Sequence, residues 1–366
     1  CPSRVVIVAP AAAMVACGTL APLAARGVLT TLRSRQVIFA RDRSFVALRV
    51  RGDEMGAVSG PDWLVRVGLP SGNIETLSRA GGTAEALGPS GLLVAGADGG
   101  TGLAVYDGAG LRPVAAGVCG HRASPDGRWL YVVRDCDTDT RGTLDVVDVT
   151  GGTTRTLARN ARALGLAVSP SGTYAAFVVS PPDGGPSSAA NVLNVATSAG
   201  GTYALSSDPD ASDPWFASDS LLLFSTGSAF GPRTASIRGH VPPAATTYLV
   251  AEGRSPGLFG YKLSPDGEWL LAAGEQGSDG GMWPTALLYS IRTDGGGEHL
   301  LTGDLLPYWE FEMALDAFAW TGDGTRAVFA TNRTRGVAAN DRLGASPGGL
   351  SDYGTFRTAP AGDRVA

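Results

Sequence analysis

Lysine is almost missing from the chain: Lys262 is the only one, and every other basic residue is Arg. Net charge is only −5, which excludes the strongly basic surface that general affinity for nucleic acid or anionic membrane requires. No long amphipathic helical period accompanies the strand-like runs, so the crossover helices of a parallel sheet are not expected. Histidine is scarce: His121, His240 and His299 are far apart and have no metal-ligand spacing. Zinc is therefore not expected, and all three are read as structural or surface residues. The Gly-x-Ser-x-Gly spacings, Gly253-Arg-Ser-Pro-Gly257 and Gly344-Ala-Ser-Pro-Gly348, lie in stretches of Gly and Pro, and no nucleophile elbow is expected at either. A phosphate-cradling Gly-Lys-Ser/Thr loop and a dinucleotide fingerprint between strand and helix are also lacking.

Glycine, proline and apolar residues are what the chain has. It holds 52 Gly and 23 Pro in 366 residues, with 44% hydrophobic content. That suits many turns around a sizeable core. The stretch from Ser124 to Val133 reads Ser-Pro-Asp-Gly-Arg-Trp-Leu-Tyr-Val-Val. Pro presets φ, Asp bonds the backbone ahead of it, and Gly accepts positive φ, so the first four residues are turn chemistry. The following apolar run does not alternate with polar residues. It predicts a strand buried on both faces, as in stacked antiparallel sheets.

The stretch recurs. Ser169-Pro-Ser-Gly172, Ala217-Ser-Asp-Ser220, Ser264-Pro-Asp-Gly267 and Thr321-Gly-Asp-Gly324 each precede an apolar run, and the starts are separated by 45, 48, 47 and 57 residues. Gly88-Pro-Ser-Gly91 and Arg41-Asp-Arg-Ser44 are weaker copies upstream. Most units add a second strand and a Gly turn, as in Thr143–Val149 followed by Thr150-Gly-Gly152. Four short antiparallel strands in such a repeat predict an all-β propeller, because one unit cannot bury both of its faces alone.

These units resemble the TolB-type propeller repeat and the related propellers of prolyl-oligopeptidase-like peptidases. The resemblance covers roughly residues 41–340. It implies fold and little about function, since such propellers serve as docking platforms, as lids on hydrolases and as enzymes. Seven turn starts imply seven four-stranded blades, with six the alternative. Arg33–Ala40 is expected to pair with the last blade and close the ring. No hydrolase-sized segment follows, so peptidase catalysis of that family is not expected.

Residues 1–17 read as an export signal, with Arg4 before an apolar run that ends in Met14-Val-Ala-Cys17. The pattern resembles a bacterial lipoprotein signal and implies a lipid on Cys17. An ordinary secretory signal is the alternative. Residues 18–30 are then a tether and 31–366 a single propeller domain. Cys119 and Cys136 flank the central turn. If 117–123 and 129–135 form a hairpin, they lie nearly opposite each other and within disulfide reach. Export agrees with a bridge there, and two free buried thiols are the other possibility.

Asp135, Asp137 and Asp139, with Asp145 further on, alternate in a loop as carboxylates around Ca²⁺ do. Thr140 and Val146 stand where a calcium loop has Gly and Glu, so a solvated loop competes with the metal. No other cofactor is expected. The longest interval contains Tyr308, Trp309 and Phe311, either an aromatic platform for a partner or buried strand residues. The expected function is a monomeric, non-enzymatic propeller of the cell envelope that binds a protein, peptide or glycan. It would meet the membrane only through its N-terminal anchor. A lyase or hydrolase with a site assembled at the central channel is the alternative.

Overall fold

The computed structural model describes residues 3–8, 12–15, 33–50, 62–69, 71–97, 100–138, 140–180, 191–206, 211–227, 236–244, 246–252, 261–275, 286–305, 318–331, 336–342 and 348–352. Every regular element among them is a β-strand. An N-terminal hairpin, β1 (Ser3–Val8) and β2 (Ala12–Val15), joins β3 (Arg33–Phe39) through β1. The strands form antiparallel sheets of six, four, eight, four and eight, within which they group in chain order into sets of four. The first is β3 (Arg33–Phe39), β4 (Phe45–Val50), β5 (Trp63–Gly68) and β6 (Ile74–Ser78). The second is β7 (Thr83–Leu87), β8 (Gly91–Ala95), β9 (Leu103–Tyr106) and β10 (Leu111–Ala115). The third is β11 (Val118–Ala123), β12 (Trp129–Arg134), β13 (Arg141–Asp148) and β14 (Thr154–Arg162). The fourth is β15 (Ala167–Val168), β16 (Tyr174–Val179), β17 (Val192–Thr197) and β18 (Thr202–Ser206).

The fifth set is β19 (Ser212–Ser218), β20 (Leu221–Thr226), β21 (Ser236–His240) and β22 (Thr247–Glu252). The sixth is β23 (Tyr261–Leu263), β24 (Trp269–Glu275), β25 (Ala286–Arg292) and β26 (Glu298–Leu305). The seventh is β27 (Phe318–Trp320), β28 (Arg326–Thr331), β29 (Gly336–Asp341) and β30 (Gly348–Asp352). The chain divides into two compact units, Cys1–Ala175 with Ala196–Thr202, and Ala176–Val195 with Tyr203–Ala366. The first three sets lie in the first unit and the last three in the second; the fourth is shared.

Adjacent side chains of one strand bury against different neighbours. In the first unit Leu64 joins Phe45, Leu92, Val94 and Tyr106, between the first two sets. The next residues on that face pattern, Val65 and Val67, join Val46, Leu48 and Val50 on the other side. In the second unit Leu270 and Ala272 pack with Leu223 and Ile237, while Trp269 and Leu271 pack with Phe318, Trp320 and Phe329. This is the two-faced burial that the unbroken apolar runs predict. Each fully buried Leu or Val contributes about 1.5–3 kcal/mol.

The repeated turn has one geometry. Gly127, Gly172, Gly267 and Gly324 have φ of 79°, 72°, 77° and 70°. Ser124 Oγ accepts from Trp129 N at 2.9 Å and donates to Asp126 Oδ1, whose carboxylate also accepts from Arg128 N. Ser264, Asp266 and Trp269 repeat the arrangement, as do Thr321, Asp323 and Arg326. The leading hydroxyl residues Ser124, Ser169, Ser264 and Thr321 are all buried, so their hydroxyls satisfy backbone groups that water cannot reach. The turn joins the first and second strands of a set. One expectation is corrected here. Arg33–Phe39 pairs with β4 as the first strand of the first set, where its register buries Ala40 with Phe45 and Ala47; it is not a closing strand for the last set.

Gly127 and Gly108 separate two contributions to these turns. Both have positive φ, but a Cβ on Gly127 would lie 2.7 Å from Gly88 N, whereas Gly108 has open space. Gly108→Ala should cost about 1 kcal/mol from the left-handed backbone alone. Gly127→Ala should cost clearly more, read as a lower denaturant midpoint at unchanged slope. Equal losses would show that the approach to Gly88 carries no energy.

Candidate functional site

The third set carries most of the residues singled out in the sequence. β11 and β12 form the expected hairpin around the Ser124–Gly127 turn, and Cys119 and Cys136 are joined by a disulfide. Their Cα atoms are 6.3 Å apart, more than the 4.5–5.5 Å or so of directly facing residues. The reason is a register shift between Val118 and Gly120, which puts Cys119 in a bulge, while Cys136 lies just past the end of β12. An intact bridge fits an oxidising compartment.

Beside the bridge, Asp135 sits at φ 55° and Thr140 at φ 60°, a conformation non-glycine residues seldom adopt. Asp135 N donates to Gly117 O. Its carboxylate pairs with Arg134 at 2.5 Å. The same guanidinium donates through Nε to Asp145, which is 1% exposed and also accepts from Thr156 Oγ1 at 2.7 Å. The bond to Asp145 raises the pKa of Arg134 further, chiefly as a hydrogen bond to the charged form. Asp137 accepts from Arg141 through both its backbone N and its Nε, at 2.9 and 2.8 Å.

The carboxylates expected to meet a calcium ion thus face arginines at Asp135 and Asp137, and Asp139 lies outside the described residues. Among the described residues no three His, Cys, Asp or Glu side chains are grouped to hold a metal ion. Tyr308, Trp309 and Phe311, Cys17 and the tether 18–30 also lie outside the described residues. Ser3–Val8 and Ala12–Val15, within the segment read as an export signal, are strands.

What the sequence did not indicate is a pair of cavities flanking the end of β10. One, ≈390 Å³, is lined by Val114 to Gly117, Val132, Arg134, Asp135, Asp145, Val147 and Thr154. The other, ≈430 Å³, has small apolar walls that include Ala97, Ala104, Leu111 and Pro113. The available signal was Asp145, a carboxylate inside the apolar run Thr143–Val149, which is an unusual place for a charge unless it is paired.

The histidines separate into different roles. His121 on β11 faces Glu85 on β7, Nε2 to Oε1 at 3.4 Å, with both side chains partly exposed. His240 is fully buried. Its Nδ1 lies 3.0 Å from Thr246 O and its Nε2 2.9 Å from Tyr203 OH, which fixes the tautomer with Nδ1–H donating to the carbonyl and Nε2 accepting from the phenol. Burial pushes its pKa below the usual 6.5, and the bond to Thr246 opposes that shift. His299 lies against Trp269, ring centres 5.9 Å apart.

No protein-family model matches the chain, and no curated protein does. Solved structures do match. An oligogalacturonate lyase in complex with manganese aligns over 81% of this chain and 85% of its own, at 17% identity and a TM-score of 0.50. A prolyl endopeptidase aligns over 88% of this chain at 11% identity and a TM-score of 0.50; the chain spans 50% of its length. TolB from Acinetobacter baumannii aligns over 69% of this chain and 58% of its own, at 14% identity and a TM-score of 0.37. With the successive four-stranded antiparallel sets, the likenesses at a TM-score of 0.50 show an all-β fold of the propeller kind.

Two measurements follow. Reducing Cys119–Cys136, whose residues are 17 apart in sequence, should cost about 3 kcal/mol by chain entropy. Denaturation with and without a reductant reads this, and an unchanged midpoint would show that the bridge constrains nothing. His240 has the opposite sign from a salt-bridged histidine. Its depressed folded pKa makes the site's stability complete above the unfolded value of 6.5 and lost as pH falls from there through the folded value. His240→Gln should remove that part of the pH slope, seen in paired denaturation curves across this range.

Proposed function

We propose that the chain is an exported, cell-envelope propeller of seven blades that binds a protein, peptide or glycan as a scaffold without transforming it. In this reading the N-terminal segment is its export signal, a lipid on Cys17 its only membrane attachment, and Tyr308, Trp309 and Phe311 a contact platform. The observation that carries it is how the charged groups around the cavities are used. Asp135 and Asp145 are held by Arg134, and Asp137 is held by Arg141. The cavity walls beside them are largely Ala, Val, Leu and Pro. Such walls grip by shape and apolar area, with a few fixed polar groups to orient the ligand. The disulfide agrees with export.

One observation favours the second reading, a lyase or hydrolase. His121 and Glu85 form an imidazole–carboxylate pair on the first strands of neighbouring sets, the arrangement by which a carboxylate orients a general base.

Incubating the full chain with peptide and envelope-glycan libraries separates the two. Scaffold binding predicts saturable retention with every ligand recovered intact, unchanged by His121→Ala. Recovery of cleaved ligand that ceases in His121→Ala and Glu85→Gln would overturn it in favour of the enzyme.

A further inference from the structure

We propose that the outer edge of the second set, at β10, is a docking site for an extended peptide that carries a basic side chain next to an apolar one. The proposal rests on the scaffold reading and gives it a place and a partner chemistry.

The sheet order β10-β9-β8-β7 puts β10 at an edge, and among the described residues no strand pairs with its other side. Such an edge offers backbone N–H and C=O groups to an added strand. The register fixes the two faces of β10. Leu111 and Pro113 pair with Tyr106 and Ala104, and Leu111 packs with the cluster between the first and second sets. Arg112 and Ala115 pair with Val105 and Leu103, and Arg112 reaches Val149 O of the third set at 2.8 Å. A register shift between Pro113 and Ala115 leaves Val114 as a bulge, which re-aims the strand there.

The two cavities share Val114, Ala115 and Ala116; most of their other walls belong to opposite faces, Leu103 of the apolar cavity being the exception. Leu111, Pro113 and Ala104 line the apolar one, and Val132, Arg134 and Asp145 of the third set line the charged one. Only an extended chain sends consecutive side chains to opposite sides. A strand added at β10 would put one residue in each cavity, which is the argument for a peptide over a compact ligand.

Charge selects the residues. Asp135, Asp145 and Arg134 leave the charged cavity with a net single negative charge, and the carboxylate of Asp135 is 61% exposed. A Lys or Arg complements it. The other cavity takes an aliphatic side chain. The Cys119–Cys136 bridge and the bond from Asp135 N to Gly117 O hold the charged wall in place, so less ordering is required on binding.

The test uses the full chain and fluorescent extended peptides with alternating Lys and Val, against Glu–Val and Ser–Gly peptides of equal length. Saturable binding of the Lys–Val peptide alone is expected, with new protection from hydrogen exchange at the amides of Arg112 and 114–116. Asp135→Asn keeps a residue that tolerates positive φ and should weaken binding about ten-fold through the lost charge. Asp294→Asn, which alters another exposed carboxylate paired with arginine, should leave it unchanged. Three results would overturn the proposal: equal binding of all peptides, binding that leaves 111–116 unprotected, or self-association of the chain that protects this edge without peptide. If library ligands are retained intact while the edge stays unprotected, the scaffold reading survives and this site does not. If ligands are cleaved, the scaffold reading itself fails.

Discussion

Each sheet of this protein has two apolar faces and no helix among the described residues to cover either. A strand such as β12, with Leu130, Tyr131, Val132 and Val133 all buried, is stable only if both faces meet other sheets. The rest of the architecture follows from that requirement. Core clusters lie between the first and second, second and third, fifth and sixth, and sixth and seventh sets. Polar groups caught between sets must be answered locally. Tyr131 OH donates to Gly172 O of the following turn at 2.8 Å, and Trp320 Nε1 donates to Lys262 O at 2.9 Å. Burial raises the pKa of the Tyr131 phenol, so it stays a hydrogen-bond donor.

The repeated turn is the second consequence. A hairpin that enters the core must close without leaving buried backbone groups unpaired. The Ser or Thr at its start provides an acceptor for the amide five residues on, the Asp orders the backbone between, and the Gly takes the left-handed bend. Where the Asp is also near another set it serves twice. Asp266 accepts from Ser264 and Glu268 in its own turn and from Arg342 of the seventh set, and these bonds hold its pKa below the usual carboxylate value against the opposing effect of burial. In the copies at Ser124, Ser264 and Thr321 the hydroxyl and the carboxylate bond within the turn itself.

The third set shows how a scaffold region acquires a distinctive surface. Its hairpin is bridged, its Asp135 is held left-handed, and its Asp145 is buried with an arginine across the sheet. A buried carboxylate with both oxygens engaged is costly to assemble and rigid once made. It fixes Arg134, and Arg134 in turn fixes the charge on one side of the β10 edge.

The all-β repeat, the position of the turns, the burial of both strand faces and the reach of Cys119 to Cys136 were legible from the residues. Each rests on local chemistry or on a period of one repeat. Pro and Gly act within a few bonds, apolar runs report burial whatever covers them, and a hairpin ties its cysteines together by length alone. First strands as short as Ala167–Val168 and Tyr261–Leu263 were not legible, since they carry no pattern of their own, whereas those at Arg33–Phe39 and Val118–Ala123 were. Nor were the pairings of Asp135, Asp137 and Asp145. In sequence a solvated loop competed with a cation site there, and only register puts Arg134, beside Asp135, within reach of Asp145 across the sheet. The cavities beside β10 form between residues of separate sets, more than a repeat apart in places, where only tertiary packing decides which side chains meet.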